Sequence, residues 1–120
     1  MRLSTVADAM TTRTASVGRD ATLQEASAAM LDAGVLAAVV VDGGQPVGLV
    51  SAETIAGAMA AGLDVTAGRA EAAADRGAVV VRADDLLLDA HERMHRAGRE
   101  SAAVVGDDGR LVGLLVDDTA

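Results

Sequence analysis

The chain repeats itself. Residues 37–54 read AAVVVDGGQPVGLVSAET, and residues 102–119 read AAVVGDDGRLVGLLVDDT. Each stretch is an apolar run, a polar Gly turn and a Val-Gly-Leu run. This pattern predicts a β-hairpin, because glycine supplies the positive φ that tight turns need. The likeness extends upstream. Leu23, Ala26, Met30 and Ala33 share one helical face, and Leu87, Ala90, Met94 and Ala97 repeat it 64 residues later. Gly98 follows Gly34 at the same offset. Ala102 and Ala103 follow Ala37 and Ala38 at an offset of 65, as Gly113 follows Gly48. One residue has therefore been gained between helix and hairpin. The chain is one compact unit of two repeats, long enough for a modest core.

Taken in order, residues 5–10 predict a short helical turn with Asp8 exposed, and residues 14–17 a short strand. Thr22 and Glu25 form a capping box that opens a helix, and Gly34 closes it in a left-handed cap. The hairpin strands are expected at 37–41 and 47–51. A second helix follows over 52–61, with Ile55 and Met59 on one side and Gly62 at its end. Residues 63–77 connect the repeats, with a helical turn in their Ala-rich middle. The second repeat runs over 78–120: a strand at 78–82, a helix opening near Asp84 or Asp85, then the second hairpin. The first repeat, residues 1–62, ends in a helix. The second is expected to lack that last helix, since the sequence stops at Ala120.

Composition narrows the function classes. Half of the residues are apolar (51%) and none is aromatic, so the core is built from aliphatic side chains and Met. With no Phe, Tyr or Trp there is no stacking platform for nucleic-acid bases. The net charge of −8 repels polyanions, so neither nucleic acid nor an anionic membrane is an expected partner. All ten basic residues are Arg, which with the heavy Ala and Gly usage points to a GC-rich bacterial genome. There is no cysteine, hence no disulfide and no thiolate metal site, as suits a reducing compartment. No apolar run spans a bilayer, and the first residues do not read as a signal peptide. The expectation is a cytoplasmic protein.

The order of ADAMT (7–11), ATLQEA (21–26), Met30, Gly34, VVDG (40–43) and VGLVS (47–51) resembles a CBS domain, named after cystathionine β-synthase. The second repeat resembles another, and two in tandem make a Bateman module. The resemblance implies an α/β fold (α+β by some labels), with a three-stranded sheet and helices in each repeat. The two repeats would be related by a pseudo-twofold axis. It further implies a regulatory module, not an enzyme, that binds AMP, ADP, ATP or S-adenosylmethionine in clefts between repeats and acts on a partner protein. No cofactor is implied beyond such a ligand. The alternative is a structural, dimerising module with no nucleotide.

Family clefts draw on the first strand, the second strand and a Ser/Thr-x-x-Asp pattern after the third. Carried onto repeat one, these positions are Thr14, Ala15, Ala37, Ala38, Val39, Ser51 and Thr54. In repeat two they are Ala78, Val79, Ala102, Ala103, Val104, Val116 and Thr119. Ser51 keeps the phosphate-facing hydroxyl, but Thr54 stands where the family's Asp binds ribose. Repeat two loses both groups, so repeat one is the expected site. Glu53, Asp117 and Asp118 add negative charge where phosphates would approach. Low-charge ligands are therefore expected over ATP.

Residues 91–95 read HERMH and satisfy the H-E-x-x-H zinc pattern, in which two histidines one helical turn apart share a face. No third ligand is positioned, Arg93 and Arg96 crowd the motif, and the matching segment of repeat one, residues 27–31, has none of it. His91, Glu92 and His95 are therefore read as a solvated helix face, without zinc or hydrolase activity. The cluster Arg93, His95, Arg96 and Arg99 reads as a mixed-charge surface with Glu92 and Glu100. Met10, Met30, Met59 and Met94 read as core filler. The side of Ile55, Met59 and Leu63, with parts of the long helices, is the expected surface of a homodimer.

Overall fold

A computed structural model describes residues 3–117 of the chain. Repeat one holds strand β1 (Ala15–Gly18), helix α2 (Leu23–Ala33), strands β2 (Ala37–Asp42) and β3 (Gln45–Ser51), and helix α3 (Ala52–Ala60). Repeat two holds β4 (Val79–Arg82), α5 (Leu87–Ala97), β5 (Ser101–Val105) and β6 (Leu111–Val116). Two short helices, α1 (Val6–Ala9) and α4 (Ala70–Ala73), precede the repeats. Each repeat forms its own three-stranded sheet, β1-β2-β3 and β4-β5-β6, parallel across the first pair and antiparallel across the second.

Local chemistry explains the elements. Thr22 Oγ1 accepts the N–H of Glu25 (3.1 Å) and Glu25 Oε1 accepts that of Thr22 (3.0 Å), which starts α2. Gly34 (φ +67°) ends it and Gly98 (φ +68°) ends α5, both left-handed. In the first hairpin Gly43 and Gly44 both have positive φ, the requirement of a two-residue type I′ turn. That turn is tighter than the sequence pattern indicates, so β3 begins at Gln45 instead of Val47. Helix α5 starts later than expected. Asp85 Oδ2 accepts the N–H of Arg82 (2.9 Å) in a preceding turn, so the N-cap falls to Leu86.

Both faces of each sheet are covered. Ala38, Val40 and Val50 pack under α2 with Leu23 and Ala26. Val79, Val81, Ala102, Val104 and Leu115 pack with Ala90 and Met94 of α5. The opposite faces meet each other: Ala37, Val39 and Leu49 of the first sheet lie against Ala103 and Leu114 of the second. This contact joins the repeats.

The short helices cross over. Val6 of α1 is fully buried in the core of repeat two, and Ala70 of α4 in that of repeat one. The bonds obey the repeat. Val6 N–H donates to Asp85 O (2.9 Å) as Ala70 N–H donates to Ala21 O (2.8 Å). Thr11 bridges Leu114 as Asp75 bridges Leu49.

Some expectations are corrected. Met94 is buried and Met10 and Met30 pack against the cores, but Met59 is 54% exposed and fills nothing. Ala97 is exposed, although its match in repeat one, Ala33, packs against that repeat's core. Ile55 and Leu63 turn inward onto the core of repeat one, so of these three side chains Met59 is the exposed one, with Leu31 and Leu88 exposed on the long helices.

Candidate functional site

A cleft of about 550 Å³ opens between the repeats. Its walls come in pairs that match at the offset of 65: Leu36 and Ser101, Leu49 and Leu114, Ser51 and Val116. The cleft therefore lies on the pseudo-twofold axis, with unlike chemistry on its two sides. Ala37, Ser51, Thr54 and Val116 of the sequence-derived positions all line it.

The other positions lie elsewhere. The side chains of Ala15 and Ala38 are enclosed in the core of repeat one, and those of Val79, Ala102 and Val104 in that of repeat two. Val39 and Ala103 are buried between the sheets, with Ala78 half-buried beside them. Thr14 is half-buried just before β1. Thr119 lies outside the described residues, as does Asp118. Alternation along a strand is the cause: neighbouring side chains point to opposite faces, and only one face looks toward the other repeat.

Ser51 is the N-cap of α3. Its Oγ accepts the N–H of Thr54 (3.3 Å). The Thr54 hydroxyl accepts the N–H of Ser51 (2.8 Å) and donates to Ser51 O (3.0 Å). Thr54 thus has no proton left for a ligand, whereas Ser51 still has one to donate. Ser101, across the cleft, is half-buried and its hydroxyl makes no bond with any described residue. Glu53, exposed in the first turn of α3, adds a carboxylate to the wall.

Arg99 supplies the cleft's cation. Its Nε and Nη2 donate to Asp75 Oδ2 (2.5 Å) and Oδ1 (3.3 Å), a two-point clamp. These bonds, with Asp75's charge and that of Glu53, hold the guanidinium's pKa above its ordinary value. Asp75 is fixed in turn by backbone bonds to Leu49 and by the N–H of Gly77 (3.0 Å). The clamp ties the connection between repeats to the end of α5. Three lining carboxylates, Glu53, Asp75 and Glu100, face the single guanidinium of Arg99.

Sequence reasoning placed Arg99 on a solvated face and did not single out Asp75 as a cleft group. A signal was present. Arg99 N donates to Met94 O just as Val35 N donates to Met30 O, so Arg99 occupies the place of an apolar Val. The residue gained between Gly98 and Ala102 falls on the cleft's rim, with Glu100 and Ser101. The rest of the basic cluster is a mixed-charge surface: Arg96 pairs with Glu92 (2.7 Å) and Arg93 donates to Val80 O (3.0 Å). Glu92 is thus engaged within the HERMH segment, His91 is half-buried beside leucines and His95 is exposed. Among the described residues no three His, Asp or Glu side chains are grouped to hold a metal. Nor is any described helix long and apolar enough to cross a membrane.

Two like units, each a β-α-β-β sheet with crossed-over short helices, packed about a cleft, define a tandem repeat module. The chain belongs to the CBS domain family, whose sequence model matches it twice, over residues 6–61 and 70–118. Solved structures share the whole fold. The CBS domain protein PAE2072 from Pyrobaculum aerophilum, complexed with AMP, is similar with a TM-score of 0.84 and 28% identity over 94% of this chain and 87% of that one. The CBS domain pair of protein MJ0100, in complex with 5′-methylthioadenosine and S-adenosyl-L-methionine, has a TM-score of 0.83 and 19% identity over 98% and 92%. Hypoxic Response Protein I, with two coordinated zinc ions, has a TM-score of 0.83 and 23% identity over 95% and 93%. No curated protein matches this chain in sequence.

Proposed function

We propose that this CBS pair is a regulatory module that senses an adenosine-containing ligand of low charge in the axial cleft and passes the signal to a partner protein. The observation that carries this reading is the cleft itself, of a size that suits a nucleoside and with the Ser51 hydroxyl proton uncommitted. AMP bound to PAE2072, and 5′-methylthioadenosine and S-adenosyl-L-methionine bound to the MJ0100 pair, support the ligand class. The low-charge preference follows from three carboxylates against one already paired Arg. Each added phosphate charge meets that field at short range.

Titration calorimetry with adenosine, AMP, ATP and S-adenosyl-L-methionine at one fixed salt concentration tests the reading. ATP is expected to bind most weakly, and Ser51→Ala to weaken the ligands that do bind. Tight ATP binding untouched by Ser51→Ala would refute it.

A second reading, a structural module without nucleotide, is favoured by one observation: the Ser51 and Thr54 pair is complete as a helix cap and needs no ligand. In that case Ser51→Ala lowers the melting temperature and no adenosine compound raises it. Self-association is part of either reading. Met59 and Leu31, the latter 84% exposed on α2, are the apolar side chains that would serve it.

A further inference from the structure

Strand β4 lies at the edge of its sheet, with α5 packed beside it. Ala83 N–H donates to Val105 O (3.0 Å), so by alternation Val79 and Val81 turn their backbone groups to β5 and Val80 turns its own to the free side. No strand takes up Val80 O. Arg93 Nη2, reaching across from α5, donates to it (3.0 Å). Among the described residues the Val80 N–H makes no backbone bond outside the sheet. Past this point the edge is closed: Arg82 N–H donates to Asp85 Oδ2 (2.9 Å) and Arg82 O accepts the N–H of Asp85 (3.1 Å).

A groove of about 600 Å³ follows this edge, walled by Ala78, Val80, Arg93, Arg96 and Ala97. Among the described residues no carboxylate lines it. Glu92 pairs with Arg96 (2.7 Å), but Arg93 meets no carboxylate among the described residues and bonds only the Val80 carbonyl. In a chain of net charge −8 this is an uncompensated cation set beside open backbone groups. The matching edge of repeat one is built differently. Ser16 stands for Val80, Ala29 for Arg93 and Asp32 for Arg96, while Arg13 stands for Gly77. Strand β1 pairs with β2 over the same length, so the fold does not require the two arginines on α5. The bond from Arg93 to Val80 O is single and exposed, so an incoming strand replaces it at small cost.

We propose that the free edge of β4, with Arg93 over it, is a docking site for a short, extended, acidic segment of a partner protein. The segment adds to the sheet as a fourth strand. Its backbone accepts the N–H of Val80 and donates to Val80 O. The Arg93 guanidinium, released from that carbonyl, takes an acidic side chain of the segment, with Arg96 beside it. Main-chain bonds give the pairing, and the charge-assisted bond gives the preference for acid. Charge complementarity selects this occupant, since the groove presents cations and no carboxylate. A second copy paired edge to edge would bring two Arg93 side chains together, which disfavours it. The site does not depend on a ligand in the axial cleft.

The test titrates a peptide with blocked ends, Thr-Val-Glu-Val-Glu-Val-Thr, into the isotope-labelled full chain. The Val80 amide and the Arg93 side-chain Nε–H are expected to shift, and hydrogen exchange at the Val80 N–H to slow. The Ser16 amide on β1 is the internal control and is expected not to move. Arg93→Ala, at an exposed position, is expected to leave the melting temperature unchanged and to weaken binding about tenfold or more. The same peptide with Lys in place of Glu is expected not to bind, and added salt to weaken the acidic one. The proposal is overturned if the acidic peptide at about 1 mM leaves Val80 unshifted, or if the Lys peptide binds as well. It is also overturned if inorganic phosphate alone reproduces the shifts, which assigns the groove to a small anion. A third result overturns it too: Arg93→Ala makes the chain sediment as an oligomer and leaves peptide affinity unchanged, so that Arg93 only guards the edge.

Discussion

Thr54 shows how one side chain sets the strength of a site. Its hydroxyl is used twice on the backbone of Ser51. An Asp at the same place could cap with one oxygen, as Asp8 Oδ2 does for the N–H of Thr5 (2.9 Å), and keep the other for a ribose hydroxyl. Charge-assisted bonds are roughly twice as strong as neutral ones. Thr54→Asp is therefore expected to tighten adenosine binding about tenfold, read by titration calorimetry. No change would show that the ribose lies elsewhere. Gly113 is a second decisive residue. A Cβ there would stand 2.9 Å from Thr11 O and 2.7 Å from Met10 Sδ, and the matching Cβ on Gly48 would stand 2.8 Å from that of Ala74. Each glycine lets a crossing segment lie directly on the third strand. Gly113→Val is expected to cost about 1–3 kcal/mol in denaturant unfolding. The exposed Gly57, with open space around its Cβ position, is the control and should tolerate Ala.

At the scale of elements, the crossed-over helices matter more than their length suggests. Helix α1 has four residues and too few internal bonds to persist alone. It is held by Val6 in the core of repeat two and by backbone bonds to Ala83 and Asp85. Removing the Val6 methyl groups leaves a hole that α5 and β4 cannot close. Val6→Ala is expected to destabilise the fold by about 2 kcal/mol, and Ala7→Ser, on the exposed side, by less than about 0.5 kcal/mol. Hydrogen exchange should rise first in α5 and β4. Faster exchange confined to β1 and α2 would mean that α1 serves the other repeat.

At the scale of the whole molecule, acid should loosen the joint around α4. Arg19, at the end of β1, donates to Glu71 Oε1 through Nη2 (2.6 Å), and Arg76 donates to the same oxygen (3.2 Å). The bond from Arg19 and its charge hold the Glu71 carboxyl below its ordinary pKa. The Thr66 hydroxyl does the same for Asp64. A carboxyl whose folded pKa is depressed lends stability that is full above its unfolded value and lost as the pH falls through the folded one. The melting temperature is therefore expected to drop between about pH 5 and about pH 3. Arg19→Gln should flatten that drop. Asp64 and Glu71's partners Arg19 and Arg76 are exposed, so high salt should weaken the effect. An unchanged acid profile in Arg19→Gln would assign the drop to other carboxylates.

The sequence by itself determined the two repeats, the capping box of α2, the glycine caps and both hairpins. Those signals act within a few residues, where turn geometry, capping bonds and the period of apolar side chains need no distant partner. Tertiary structure alone decided three things. It chose which strand face meets the other repeat: in β2 every residue from Ala37 to Val40 is apolar, so alternation could not tell Ala37, at the cleft, from Ala38, in the core. It sent α1 to the sheet of repeat two and α4 to that of repeat one, a choice written in contacts between residues far apart in the chain. And it joined Asp75 to Arg99, 24 residues away, by docking the connection between repeats against the end of α5. An ion pair of that kind has no local pattern, because neither partner's neighbours need the other until the two sheets are packed.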